Sequence, residues 1–105
     1  MKSITAKDLH QKIIQGEEIV LIDVRESFEH QHYNIGGVNI PLSNIFESKE
    51  QFNINHTIII YCQKGIRSQI AIQRLSDKFG YDQLINLQGG VDAWIKTFQN
   101  KKDDE

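Results

Sequence analysis

Cys62 is the only cysteine of the chain, and it lies in the stretch Tyr61-Cys62-Gln63-Lys64-Gly65-Ile66-Arg67-Ser68. The apolar run Ile58-Ile59-Ile60 precedes it, and helical spacing begins near Arg67. A strand that delivers a lone Cys into a short loop, closed by an Arg at a helix start, can hold an anion. The nucleophilic form of Cys is the thiolate, and three features of the stretch favour a negative sulfur. A helix opening at Arg67 directs its positive end at the loop. Lys64 and Arg67 are close in sequence, with no carboxylate between Tyr61 and Ser68. Successive backbone N–H groups of a tight loop can converge as an anion nest, and Gly65 permits the backbone geometry this requires. Arg67 suits a forked grip on a tetrahedral oxyanion better than a lysine would. The plainer alternative is that Cys62 is a small buried residue at a strand end, as most isolated cysteines are. Gly65, Arg67 and a helix start in one short span argue against it, although Lys64 alone fits a solvated loop tip.

The elements that must position this loop are legible in the flanking sequence. Thr5-Ala6-Lys7-Asp8 predicts a helix start with Thr5 as N-cap; Leu9, Ile13 and Ile14 fall on one face, and Gly16 ends the helix. Ile19 to Val24 is a continuous apolar run of strand length, the pattern of a strand covered on both faces. Arg25 to His32 is polar with room for a short helix, Asn34-Ile35-Gly36-Gly37 signals a turn, and Val38 to Pro41 reads as a short strand. Leu42, Ile45 and Phe46 have helical spacing within Leu42 to Phe52, and a polar stretch then runs through Asn55-His56. Thr57 to Tyr61 is a second buried strand. Ile70, Ala71, Leu75 and Phe79 give a helix closed by Gly80; Leu84 to Leu87 is a further strand; Gly89-Gly90 leads into a last helix with Val91, Trp94, Ile95 and Phe98. Alternating strands and helices predict an α/β domain with a parallel-type sheet and helices on both faces. Sites in such sheets form where strand C-termini meet helix N-termini, which is where Cys62 falls.

Composition narrows the function classes. The chain has 105 residues, with 39% hydrophobic and 25% charged residues, enough for one core. We expect a single domain over 1–99 and a polar, frayed tail over 100–105. A net charge of −2 gives no reason to expect nucleic acid or an anionic membrane as partner. The N-terminus lacks the apolar core of a secretory signal, and no run reaches the length of a membrane span. One cysteine makes no internal disulfide. With four His lacking zinc-ligand spacing, it also makes no metal site. These features point to a cytoplasmic protein acting as a monomer or weak homodimer.

Cys62-Gln63-Lys64-Gly65-Ile66-Arg67-Ser68 resembles the C-x-x-G-x-R-S loop of rhodaneses, the thiosulfate-type sulfurtransferases. Leu21-Ile22-Asp23-Val24-Arg25-Glu26, followed by Phe28-Glu29, is similar to the family's first strand and its D-V-R-E motif. Leu87-Gln88-Gly89-Gly90-Val91-Asp92-Ala93-Trp94 is similar to its L-x-G-G-x-x-A-W motif. The three occur in family order, and the likeness runs from about Ser3 to Phe98. One segment departs: where the family reads G-H-I-x-G-A-x-N-I-P, this chain reads His32-Tyr33-Asn34-Ile35-Gly36-Gly37-Val38-Asn39-Ile40-Pro41.

The resemblance implies a rhodanese-like fold, a mostly parallel five-stranded sheet with helices on both faces, and a mechanism without metal or organic cofactor. Cys62 would attack the outer sulfur of thiosulfate and expel sulfite. The resulting persulfide would sit among the N–H groups of residues 63 to 68 (Gln63, Lys64, Gly65, Ile66, Arg67, Ser68). A thiol or cyanide would then take the sulfur in a second half-reaction. Arg67, with Lys64, would hold the sulfonate oxygens, and Ser68 would donate to the sulfur. Asp23 and Arg25 read as an ion pair or loop anchor, Gly89 and Gly90 as a turn and close contact, and Trp94 as a core anchor. His30 and His32 read as solvated, while Tyr61 and Phe28 are candidates to line the pocket.

Three rivals stand beside this. The first is a Cys-based phosphatase or arsenate reductase: tyrosine phosphatase loops place five residues between Cys and Arg, whereas here there are four, Gln63 to Ile66; the smaller cradle suits a single sulfur better than a phosphate. A persulfide carrier in a protein sulfur relay would use the same chemistry with protein donors and acceptors. A non-catalytic interaction module would have no need of Cys62, Gly65, Arg67 and Ser68 together.

Overall fold

The computed structural model describes residues 1–52 and 55–103. Five strands form one sheet in the order β1-β5-β4-β2-β3, with every pairing parallel. The strands are β1 (Lys2–Ile4), β2 (Ile19–Asp23), β3 (Val38–Asn39), β4 (Thr57–Tyr61) and β5 (Ile85–Leu87). The helices are α1 (Ala6–Ile14), α2 (Ser27–His32), α3 (Ile66–Phe79) and α4 (Gly90–Asp103). A 3-10 segment spans Leu42–Gln51. No helix among the described residues is long and apolar enough to cross a membrane.

β4 is the centre of the molecule, and its β-branched run suits a strand packed on both faces. Ile58, Ile60 and Cys62 point into one core with Ile22, Val24, Ile45, Ala71, Ile72 and Leu75, beneath α3 and the 3-10 segment. Ile59 and Tyr61 point into the other, with Ile4, Leu9, Leu87 and Val91, beneath α1 and α4. β2 runs beside β4 in a ladder from Ile19–Thr57 to Asp23–Tyr61. The two strands therefore end level, and they release Val24-Arg25 and Cys62-Gln63 side by side at the same edge. The Val24 amide still donates to Tyr61 O at 3.0 Å, extending the pairing by a residue.

The sequence expectations meet the structure unevenly. Thr5 caps α1 as expected, its Oγ1 accepting from the Asp8 amide at 3.1 Å. The apolar face of α1 is narrower than its spacing suggests: Ala6 and Leu9 are buried, but Ile13 and Ile14 are exposed in the last turn, beyond the sheet. The Leu42 to Phe52 segment forms 3-10 turns instead of an α-helix and buries Ile45 and Phe52, while Phe46 stays on the surface. β1 has no counterpart in the sequence reading. It is three residues long at the sheet edge, with two of them exposed, so it lacks an apolar run. α4 runs to Asp103, past the expected boundary at 99. Residues 53 and 54 of the expected polar stretch, and 104 and 105 of the tail, lie outside the described residues.

Candidate active site

β4 ends at Tyr61, and Cys62 begins the turn into α3 at the C-terminal edge of the sheet. Gly65 is the residue before the helix and has φ +90°, a left-handed conformation that favours glycine. That turn folds the chain back over Cys62. The amides of Gly65 and Ser68 point at Sγ, at 3.1 Å and 3.3 Å. Ser68 Oγ lies 3.4 Å from Sγ, and the hydroxyl donates to Asn86 Oδ1 on β5. With its one hydrogen committed to Asn86, Ser68 Oγ acts as acceptor toward a Cys62 thiol, while the backbone N–H groups act as donors. Cys62 is 1% exposed. Above it, Cys62, Gln63, Lys64, Ile66 and Arg67 line an open depression of about 210 Å³.

The loop is clamped from below by the start of α4. The amides of Val91 and Asp92 donate to the carbonyls of Cys62 and Gln63 at 2.9 Å and 3.0 Å. So close an approach needs Gly90: a Cβ there would lie 2.2 Å from Cys62 O, and φ is +60°. A Cβ on Gly65 would meet Gly89 N at 3.1 Å, so the two glycine-bearing turns are pressed together.

A polar network extends this clamp sideways. Arg25 and Asp23 are both buried. Arg25 donates to Asp23 through Nε and Nη2, the latter at 2.8 Å. Burial is the largest single influence and works against the Arg25 charge, but the Asp23 hydrogen bonds and the surrounding negative charge together outweigh it and hold the guanidinium pKa above its ordinary value. The other arm of Arg25 donates to Gln63 Oε1 at 2.9 Å, and Gln63 Nε2 donates to Asp92 Oδ1 at 2.5 Å. The Gln63 amide is thus fixed at both ends. His30 Nδ1 lies 2.8 Å from Asp23 Oδ2, and Asn39 Nδ2 donates to the carbonyls of Asp23 and Arg25.

Arg67 reaches the pocket wall with its guanidinium already paired to a carboxylate. Nη1 and Nη2 donate to the two carboxylate oxygens of Glu29, at 2.7 Å and 3.0 Å. The Arg67 hydrogen bonds draw the Glu29 pKa down to about 2, and Glu29 in turn raises that of Arg67. Glu29 Oε1 also accepts from the Glu26 amide at 3.1 Å, the capping bond that opens α2.

The model of the Rhodanese-like domain matches residues 5–97, nearly the whole chain. The chain belongs to the rhodanese-like domain family. A protein named Sulfurtransferase from Allochromatium vinosum is 28% identical, with 91% of this chain and 90% of that protein covered. Mycobacterium tuberculosis MoeZ, named a probable adenylyltransferase/sulfurtransferase, is 31% identical over 92% of this chain. The chain spans 25% of the length of MoeZ. A rhodanese-like domain protein from Staphylococcus aureus superposes with a TM-score of 0.80 at 33% identity, covering 90% of this chain and 91% of that one.

Within this rhodanese-like site, the residues Cys62 to Ser68 come together as the sequence suggests. Asp23 and Arg25 form the expected pair, Gly89 and Gly90 make the tight turn, and Trp94 packs edge-on against Phe98 and His10. Four expectations change. Ser68 gives Sγ its amide, while its hydroxyl hydrogen goes to Asn86. His30 is not solvated but half-buried against Asp23; His32 is exposed. Tyr61 does not line the pocket: it points to the opposite core, where its hydroxyl donates to Gly36 O at 2.8 Å. Phe28 is 70% exposed and is not among the residues lining the depression. In the atypical 32–41 segment, Asn34 caps its own turn by accepting from the Gly36 amide, and Gly37 lies against β2, where a Cβ would fall 2.2 Å from Leu21 O.

Glu29, Asn86, Asn39 and Asp92 were missed as site residues. Asn86 carried a signal, a polar residue inside a short apolar strand. Glu29 stands in the matched Phe28-Glu29 pair, but nothing local names its partner, which lies 38 positions away.

Proposed function

We propose that the protein is a sulfurtransferase that moves a sulfane sulfur through a Cys62 persulfide. The observation that carries this is the convergence of the Gly65 and Ser68 amides on a buried Sγ at the positive end of α3. Cys62 attacks the outer sulfur of thiosulfate or a similar donor; the S–S bond to the donor breaks and its electron pair leaves with sulfite, or with a thiolate. Backbone donors suit the persulfide because they stabilise negative charge without a nearby acid to take it up. When Cys62 loses its proton, Ser68 can turn its hydroxyl from Asn86 to the sulfur and add a third donor. Gln63 and Ile66 wall the donor's approach, and Lys64 and Arg67 are the cations that line the depression. A thiol or cyanide then attacks the outer sulfur and restores the Cys62 thiolate, giving ping-pong kinetics. No cofactor enters these steps. A lone thiol that must stay reduced suits the cytoplasm.

Incubation with thiosulfate and cyanide is expected to give thiocyanate, and mass spectrometry to show one added sulfur on Cys62. Cys62→Ser is expected to abolish both. Turnover by the Ser variant would overturn the reading. A relay carrier is the second reading, favoured by Ile66, which lines the depression and is 63% exposed, a surface for a protein partner. It predicts sulfur transfer to and from protein thiols faster than to cyanide.

A further inference from the structure

We propose that Glu29 selects the sulfur donor: by holding the Arg67 guanidinium in a fork, it makes the Cys62 pocket a site for persulfides, whose leaving group is a thiol, in preference to thiosulfate. This rests on the sulfur-transfer reading above. Thiosulfate binding and sulfite departure both call for cationic donors near Cys62. Arg67 is the forked one, and both of its terminal nitrogens are on Glu29. The carboxylate is not a loose counterion, since the first turn of α2 fixes Oε1 through the Glu26 amide. Gln63 is no substitute for a cation, because it is uncharged and its amide is fixed between Arg25 and Asp92. Lys64 is exposed and makes no ion pair among the described residues, so it is the cation left for an anion at the rim. The remaining wall includes Ile66, an exposed apolar side chain.

The charges decide between donors. Thiosulfate brings two negative charges to a thiolate, beside the Glu29 carboxylate, and sulfite departs with both. A persulfide R–S–SH brings one at most. The Cys62 sulfur bonds to its outer sulfur, the R–S bond to that sulfur breaks, and the electron pair leaves on R–S. The proton of the outer sulfur passes to R–S, giving the free thiol and a Cys62 persulfide anion. Each sulfur's electrons balance without an added oxidant or reductant, and the leaving group needs no guanidinium.

The test compares loading of Cys62 from thiosulfate and from cysteine persulfide in the full chain, read by rapid alkylation and mass spectrometry. The wild type is expected to load faster from cysteine persulfide. Glu29→Gln keeps an acceptor for the Glu26 amide and is expected to shift the ratio of loading constants toward thiosulfate by about tenfold or more. In an Arg67→Ala background the same change is expected to shift nothing, which separates release of Arg67 from any general loosening of α2. A wild type that prefers thiosulfate, or a ratio that stays put or moves toward the persulfide in Glu29→Gln, overturns the proposal while leaving sulfur transfer standing. A wild type that loads from neither donor overturns both.

Discussion

The two ends of the sheet carry hollows of similar size and different character. At the C-terminal end, the depression over Cys62 is about 210 Å³ and is edged by charged and polar groups. At the N-terminal end, a hollow of about 260 Å³ is lined by Phe52, His56, Ile58, Phe79, Tyr81 and Leu84, with the aromatic rings tilted against one another. Its one buried side-chain polar atom without a hydrogen-bond partner among the described residues is His56 Nδ1. Volume therefore does not distinguish the site. At the Cys62 end most side-chain polar groups already have partners, and what those partnerships leave pointing at one sulfur is two amides and the start of α3. At the other end aromatic side chains pack on one another, and no such convergence occurs among the described residues.

Matched glycine substitutions break this comparison most sharply. Gly90→Ala puts a Cβ within 2.2 Å of Cys62 O at φ +60°. The loop must move, and Cys62 persulfide loading is expected to fall by about a hundredfold or more, since a displacement of about 1 Å is enough for that loss. Gly80→Ala lines the opposite hollow at φ +74°, where a Cβ would meet nothing within 4 Å. It is expected to cost about 1 kcal/mol of stability in urea denaturation and to leave loading unchanged. Equal activity losses in the two variants would show that the clamp by α4 is not what positions the loop.

Next in size is the buried pair beneath the site. Asp23→Ala strands Arg25 without its carboxylate and removes the partner of His30; urea denaturation is expected to show a loss of about 3–5 kcal/mol. His56→Ala, at the other end, removes a half-exposed ring whose Nε2 sits 3.4 Å from the exposed Glu18. Its expected cost is below about 1 kcal/mol. If the two variants proved equally stable, the polar network around Arg25 would be a surface ornament and not a support of the loop.

How much of this the sequence revealed follows from how local each cause is. Cys62, Gly65, Arg67 and Ser68 lie within one turn of chain, so their spacing shows the cradle before any fold is known. β2 and β4 are visible for a similar reason, because apolar runs report strands buried on both faces. β1 is invisible because an edge strand of three residues is held by pairing to β5 and not by its own composition. Glu29 is the instructive failure. Its residue type suggests only a solvated helix, and its partner Arg67 reads as free; the ion pair exists because the level ends of β2 and β4 bring α2 against the first turn of α3. The sequence shows which groups are present at the site, while long-range pairing decides which of them remain available.

The smallest expected effect tests that last point by pH. Glu29 is drawn from its ordinary value of 4.5 down to about 2, first by the Arg67 hydrogen bonds. A carboxyl with a lowered folded-state pKa contributes stability that is fully present above its unfolded value and is lost as the pH falls through the folded one. The contribution of the pair is therefore intact at neutral pH and declines from about pH 4.5 to about pH 2. Both side chains are partly exposed, at 35% for Arg67 and 21% for Glu29. Solvent screening thus keeps the term at about 1 kcal/mol or less. Urea denaturation of wild type and Glu29→Gln is expected to show a gap near neutral pH that narrows at about pH 3. A gap that stays constant across that range would mean that the difference between the two does not come from the Glu29 charge, and that the ion pair with Arg67 contributes nothing.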